Sequence, residues 1–223
     1  MLFRSRDEVA TAHLKFGRLH EAAGRVEPAK ASYLRAIETL EETRAALSGS
    51  DNRLTFFARR LAPYEALINL LLRGAQGAQG ASGVGKLGAA AAIIEAFKLS
   101  ERARARGLTD FLVRQGTAPV QPDPVQSVVK SLDEGAMLLQ YFIGAEQSHV
   151  FVLERGKAPR AVALDARRDV VTAAVQRFRR PFEEVKIKAR TSGAAASAYL
   201  ASAASFDMGA ARELYEQIGR AHV

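Results

Sequence analysis

The chain of 223 residues contains no cysteine and no tryptophan. Without cysteine it cannot form disulfides, bind zinc through thiolates or carry a thiol nucleophile of its own. It also has no apolar run of the roughly 18 residues that a membrane-spanning helix needs. Its start, MLFRSRDEVA, lacks the apolar core of a secretory signal. The sequence therefore predicts a cytoplasmic protein with no membrane contact.

The chain is strongly basic, with a formal net charge of +8. Clustered Lys and Arg residues can bind nucleic acid by releasing counterions from the phosphates. Here the basic residues lie in short runs, at 101–107 and 177–190, on predicted helices that also carry Glu. No recognised nucleic-acid-binding motif accompanies them. We therefore expect solvated helix faces and regard nucleic acid as an unlikely partner.

The stretch GASGVGKL, residues 80–87, comes close to a phosphate-binding P-loop, G-x-x-x-x-G-K-[ST]. Gly80, Gly85 and Lys86 fit the pattern, but Leu87 stands where Ser or Thr would hold Mg²⁺. A P-loop also follows directly after a buried strand. Here polar, Gly-rich sequence precedes it, and the apolar run before that has a helical period. We predict an interhelical loop and keep a nucleotide binder as a remote alternative.

Residues 10–41 resemble one tetratricopeptide repeat (TPR), a pair of antiparallel helices about 34 residues long. Small residues are expected where the two helices touch, and bulky residues are expected to fill the seam between them. Gly17 and Ala29 are the small residues, and Phe16 and Tyr33 the bulky ones. The other matching positions are His13, His20 and Ala36, whereas Glu41 stands where the repeat closes with Pro.

His13 and His20 raise the alternative of a metal site. Their separation of seven residues spans about 10.5 Å along a helix, which is too far for both to bind one ion. We expect both imidazole rings to fill the seam.

A second pair of helices is predicted after residue 50. Asp51 or Asn52 would cap its first helix, and Pro63 would kink or restart that helix. Its apolar face repeats every three or four residues: Phe57, Leu61, Tyr64, Ile68, Leu71 and Leu72. The second helix is predicted to run from 89 to 113.

Glu101 falls on the apolar face of that second helix, so its carboxylate needs a partner. We expect a structural ion pair with Arg104, one turn further along. A catalytic acid at Glu101 is the alternative.

The character of the sequence changes at three prolines, Pro119, Pro122 and Pro124, which form a linker. Beyond it, short apolar runs at 137–144, 148–156 and 160–165 predict an antiparallel meander with a largely buried face. Helices are expected at 167–180 and 193–205. The predicted fold is therefore mostly α-helical with a small β-meander.

The order of these parts resembles a bacterial TPR–CHAT protein, in which a caspase-like domain follows TPR repeats. Three segments carry the resemblance: the helix ERARARGLTDFL (101–112), the strand containing Gln140, Tyr141 and Phe142 with its VFVL partner, and ARELYEQ (211–217). The resemblance implies a caspase-like α/β fold and TPR helices that bind a protein or peptide in their groove.

That family is related to cysteine peptidases with a His–Cys dyad, in which the imidazole activates the thiol. The resemblance implies that the His precedes Gly, whereas His13, His20, His149 and His222 all precede other residues. We therefore predict no catalytic, cofactor-binding or metal-binding residues in this chain. A longer protein with peptidase activity and a non-catalytic TPR adaptor both stay open.

Four segments are predicted: TPR-like helices (1–116), a linker with a short helix (117–131), the first part of a CHAT domain (132–217) and residues 218–223. The last segment, IGRAHV, is the translation of ATCGGAAGAGCACACGTC, a common sequencing-adapter sequence. We expect it to be read-through rather than native coding sequence. Because TPR arrays generally need three or more units, we also expect further repeats upstream.

Overall fold

The fold is known from a computed structural model, which describes residues 2–46, 60–78, 84–114, 125–192 and 207–219. These residues are mostly helical and include a small three-stranded antiparallel sheet. The prediction of a mainly α-helical chain with a β-meander is confirmed at this level.

The chain begins with two antiparallel helices, α1 (Leu2–Ala22) and α2 (Val26–Ala45). Helix α1 ends in a Schellman motif, in which the Gly24 amide donates to Glu21 O and the Arg25 amide donates to His20 O. Gly24 has φ +70°, a left-handed conformation that glycine adopts without steric cost. This turn reverses the chain within three residues and sets the two helices side by side.

The seam between α1 and α2 is closed where Gly17 meets Tyr33. Ala29 and Tyr33 are completely buried, as predicted. A Cβ at position 17 would overlap the Tyr33 ring, with even Cζ only 2.9 Å away. Phe16, expected in the seam, is instead 55% exposed. The reason is helical geometry: with Gly17 facing α2, the preceding residue points about 100° away around the axis.

The second pair consists of α3 (Ala62–Ala78) and α4 (Val84–Arg114). Pro63 is the second residue of α3, so it starts the helix, where its missing N–H costs little. Helix α4 begins five residues before the predicted start at 89. Much of the predicted apolar face of α3 is buried, namely Tyr64, Ile68, Leu71 and Leu72. The predicted positions Asp51, Asn52 and Phe57 lie outside the described residues.

A short helix, α5 (Val125–Ser131), precedes three strands: β1 (Met137–Phe142), β2 (Ser148–Glu154) and β3 (Arg160–Leu164). The strands pair in chain order, as a meander does. Each ends one or two residues earlier than predicted. Residues 148–153 of β2 are all buried. Since successive side chains point to opposite sides of a strand, β2 is covered on both faces rather than the one expected.

Helix α6 (Arg168–Ser192) corrects the prediction of a helix ending at 180, because it continues through Pro181. Two ion pairs bridge the proline by one helical turn, Arg179 with Glu183 (2.8 Å) and Arg180 with Glu184 (3.0 Å). Such i,i+4 pairs support a helix and offset part of the cost of the proline. The helix predicted at 193–205 lies outside the described residues.

The ARELYEQ segment is helical, as expected. Helix α7 (Met208–Leu214) is followed by a single π-helical turn, Tyr215–Gly219. The Asp207 side chain caps α7 by accepting a hydrogen bond from the Ala210 amide (2.8 Å).

The chain forms two compact units. The first contains 1–139 and 151–161, and the second contains 140–150 and 162–223, so the division passes through all three strands. The second unit has its own hydrophobic cluster, made by Tyr141, Ile143, Val150, Val162, Leu164, Ala166, Val171, Val175, Leu214 and Ile218. The boundaries expected at 116 and 131 stay a prediction.

Two glycines in helices provide a test of the α1–α2 seam. Gly17→Ala should lower the free energy of unfolding, because overpacking against Tyr33 costs about 1–3 kcal/mol and outweighs a helix-propensity gain of about 1 kcal/mol. Gly74→Ala in α3 is the matched control, since a Cβ there meets no atom within 4 Å. It should raise the free energy of unfolding by about 1 kcal/mol. Urea denaturation of both variants measures this, and equal changes would contradict the close contact.

Candidate functional site

The two helix pairs are joined by polar contacts that centre on two glutamates. The first is Glu21 of α1, which accepts a hydrogen bond from the Tyr33 hydroxyl (2.5 Å) and forms an ion pair with Arg73 of α3. One carboxylate therefore connects α1, α2 and α3. Burial raises the pKa of Tyr33, so its hydroxyl stays protonated as the donor at neutral pH.

The second glutamate, Glu41 of α2, has the same role one helix further along. It accepts a hydrogen bond from the hydroxyl of Tyr64 in α3 and pairs with Arg102 of α4. Lys30 of α2 also pairs with Glu95 of α4 (2.9 Å). These contacts fix the order in which the helices stack, because each ties helices from different pairs.

A further ion pair connects α1 to Arg60, two residues before the start of α3. Arg60 donates to both carboxylate oxygens of Asp7, at 2.7 and 2.9 Å. Hydrogen bonding to Arg60 holds the pKa of Asp7 below its ordinary value of 3.8. The bidentate geometry is the strongest form of such a pair.

Helix α1 has a second apolar stripe, on the side that the seam does not use. Val9, Phe16 and Leu19 are 47%, 55% and 60% exposed. Their spacing of seven and three residues places them on one side of the helix. This stripe is the candidate surface for a polypeptide partner.

The P-loop-like stretch at 80–87 does not lie between a strand and a helix, as a P-loop does. Gly85 and Lys86 lie within α4, and the chain before Gln79 is the helix α3 rather than a strand. A P-loop gathers phosphate between the end of a strand and the start of a helix. Gly80 lies outside the described residues. The helical period predicted for the preceding run is confirmed, and the arrangement does not favour nucleotide binding.

Three of the four histidines in the chain lie among the described residues. His149 lies in β2 and is only 4% exposed. His13 and His20 are half-buried on α1, and His222 lies outside the described residues. Across the described residues, no group of three or more His, Asp or Glu side chains could hold a metal ion.

Glu101 forms the ion pair expected from the sequence. Its carboxylate accepts from Arg104 at 2.7 Å, three residues along the helix. Both side chains are partly exposed, at 38% and 63%. This supports the structural interpretation of Glu101 rather than the catalytic one.

Three arginines in the middle of α6 form ion pairs with carboxylates. Arg177 pairs with Glu213 of α7, and Arg179 and Arg180 pair with glutamates on α6 itself. These three arginine side chains are more than half exposed, in keeping with the solvated helix faces expected from the sequence. That nucleic acid is an unlikely partner stays a prediction.

Each of the two units has an open cavity among its described residues. The second unit has a groove of about 590 Å³ along α6, beside Ile143. Arg168 forms part of its wall and donates to the Ile143 carbonyl (2.9 Å), which anchors the start of α6 to the end of β1. The first unit has a cavity of about 240 Å³ beside α5.

Comparison of the chain with protein-family models, with curated proteins and with solved structures found no match. Among the described helices, none combines the length and the apolar character needed to cross a membrane.

Sequence reasoning missed the residues that join the helix pairs. Glu21, Tyr33 and Arg73 are brought together from three helices, and no local spacing indicates that they meet. The cavity beside α5 was missed for the same reason, since its walls come from segments up to 65 residues apart. The exposed stripe could have been found from the sequence, because the spacing of Val9, Phe16 and Leu19 places them on one side of a helix and Gly17 on another.

The Asp7–Arg60 pair predicts a specific pH dependence of stability. Because the folded-state pKa of Asp7 is lowered, the pair contributes fully above the unfolded-state pKa of about 3.9 and its contribution is lost as pH falls through the folded pKa. Asp7→Asn should therefore cost up to about 1 kcal/mol at pH 7, a figure already reduced for solvent screening, and less at pH 3.

Urea unfolding at pH 7 and pH 3 measures the effect. The control is Glu8→Gln, which removes the same charge from the neighbouring, exposed position of α1. A loss that is equal for both variants, or larger for Asp7→Asn at pH 3, would contradict the ion pair.

Proposed function

We propose that the chain is part of a bacterial TPR–CHAT protein. In this proposal the helices of residues 1–116 bind a partner polypeptide. Residues 132–217 form the first part of a caspase-like domain related to cysteine peptidases. The observation that carries the proposal is the close-packed hairpin of α1 and α2, with a second helix pair following it.

The packing of the hairpin supports the TPR assignment. A TPR motif needs small residues where its helices cross, and Gly17 and Ala29 occupy those positions against the buried Tyr33. The second pair then packs on the first through Glu21 and Glu41. Repetition of a two-helix unit, each contacting its neighbour, is what defines a repeat array.

The sheet supports the second part of the proposal. The strand containing Gln140, Tyr141 and Phe142 pairs with the VFVL strand, and the ARELYEQ helix packs through Leu214 on the cluster behind them. These are the same segments that carry the resemblance in the sequence. With no cysteine in the chain, no dyad can be assigned here, and we expect no peptidase activity from this chain alone.

The partner would be a polypeptide with apolar side chains. The stripe of Val9, Phe16 and Leu19 offers large apolar side chains that the hairpin itself does not bury. Exposed apolar patches of this kind mark interaction surfaces. The alternative function, a non-catalytic TPR adaptor, uses the same stripe, so the helices do not distinguish the two.

The gene sequence beyond the codon for Glu216 does distinguish them. The peptidase-related function predicts a His-Gly pair and a later Cys, each directly after an apolar strand. In a protein that carries them, Cys→Ala should abolish peptide cleavage and leave the circular dichroism spectrum unchanged. A reading frame that continues to its stop codon without this His and Cys would overturn the peptidase function and leave the adaptor.

A further inference from the structure

The cavity of about 240 Å³ in the first unit has an apolar floor and a charged rim. It lies between α5, the end of β2 and the turn that leads to β3. The floor is formed by Ile94, Val125, Val129, Leu153 and Pro159. Gln126, Lys130, Glu154 and Lys157 form the rim.

The rim carries an excess of one positive charge. Glu154 is shared by two cations, since it pairs with Lys157 and also with Arg160 (2.9 Å). These hydrogen bonds, first that of Lys157, lower the pKa of Glu154 and keep it ionised at neutral pH. Lys130, on α5, has no ion pair with any residue that the structure describes. Among the described residues its ammonium therefore has no ion-pair partner, and Lys130 belongs to the lining of the cavity.

The combination of floor and rim selects a type of ligand. Small-molecule sites are typically apolar with a few polar groups that fix the orientation. Here a hydrocarbon body would displace water from the floor, while one negative charge would balance the rim. We infer that this cavity binds a small monocarboxylate with an apolar tail, whose carboxylate accepts hydrogen bonds from Lys130 and Gln126.

The volume limits the length of the tail. At about 240 Å³ the cavity is smaller than the roughly 300–1,000 Å³ of sites for drug-sized ligands, so it favours a short-chain ligand. Hexanoate has eight non-hydrogen atoms and is the probe of choice. With a ligand of this size, a dissociation constant on the order of 1 mM is expected.

The test is an NMR titration of the whole chain with hexanoate, following the methyl signals of Ile94, Val129 and Leu153. Hexanoate should shift these signals in a saturable way, and hexanol should bind about three- to fivefold more weakly because it lacks the charge. Lys130→Met, which keeps the apolar stem, should weaken hexanoate to a similar extent. Lys98→Met, at an exposed position of α4 that does not line the cavity, should leave binding unchanged.

Three results would overturn the inference. The first is that hexanoate produces no saturable shift of these methyl signals. The second is that hexanol binds as tightly as hexanoate, which would show that the charged side chains of the rim do not contribute to binding. The third is equal weakening by Lys130→Met and Lys98→Met, which would indicate a general effect of net charge. The ligand pair needs no variant, so the test holds even if Lys130→Met were to destabilise α5.

Discussion

The close approach of α1 to α2 at Gly17 is the constraint on which the helical part of the structure depends. Tyr33 lies against a backbone with no side chain, and this is what allows its ring to be completely buried. The same position directs the Tyr33 hydroxyl to Glu21, and through Glu21 to Arg73 of α3. A larger residue at 17 would displace the Tyr33 ring. It would thereby disturb the position of Glu21, the acceptor for Arg73 of α3. One absent side chain thus affects the packing of three helices.

The same orientation of α1 determines its outer surface. With Gly17 turned toward α2, Phe16 and Leu19 must point elsewhere, and together with Val9 they form the exposed stripe. Helix α1 therefore packs against α2 on one side and exposes apolar side chains on another. The hairpin thus buries part of its apolar surface internally and leaves Val9, Phe16 and Leu19 partly exposed. The proposed binding role follows from the packing rather than from any reactive group.

Local patterns in the sequence predicted most of the elements but not how they meet. The helical period of the run after Pro63 identified a real helix, because burial on one face leaves a period in the sequence. The short apolar runs between 137 and 165 identified real strands, because a strand buried on both faces reads as a continuous apolar run. The end of α6 was predicted too early because a proline usually ends a helix. Here α6 continues through Pro181, supported by the ion pairs of Arg179 with Glu183 and of Arg180 with Glu184. Phe16 was misplaced because, with Gly17 facing α2, the side chain of the preceding residue points about 100° away from the seam. The Glu21 and Glu41 contacts could not be predicted, since they join residues 12 to 61 positions apart.

The contact between Gly17 and Tyr33 can be measured with a double-mutant cycle. Gly17→Ala is measured alone and together with Tyr33→Val, which removes the ring atoms that a Cβ at 17 would overlap. Gly17→Ala should lower the free energy of unfolding only while the ring is present, with a coupling free energy of at least about 1 kcal/mol, within the range found for residues in contact. Additive effects of the two substitutions would contradict the contact and the hairpin geometry that rests on it.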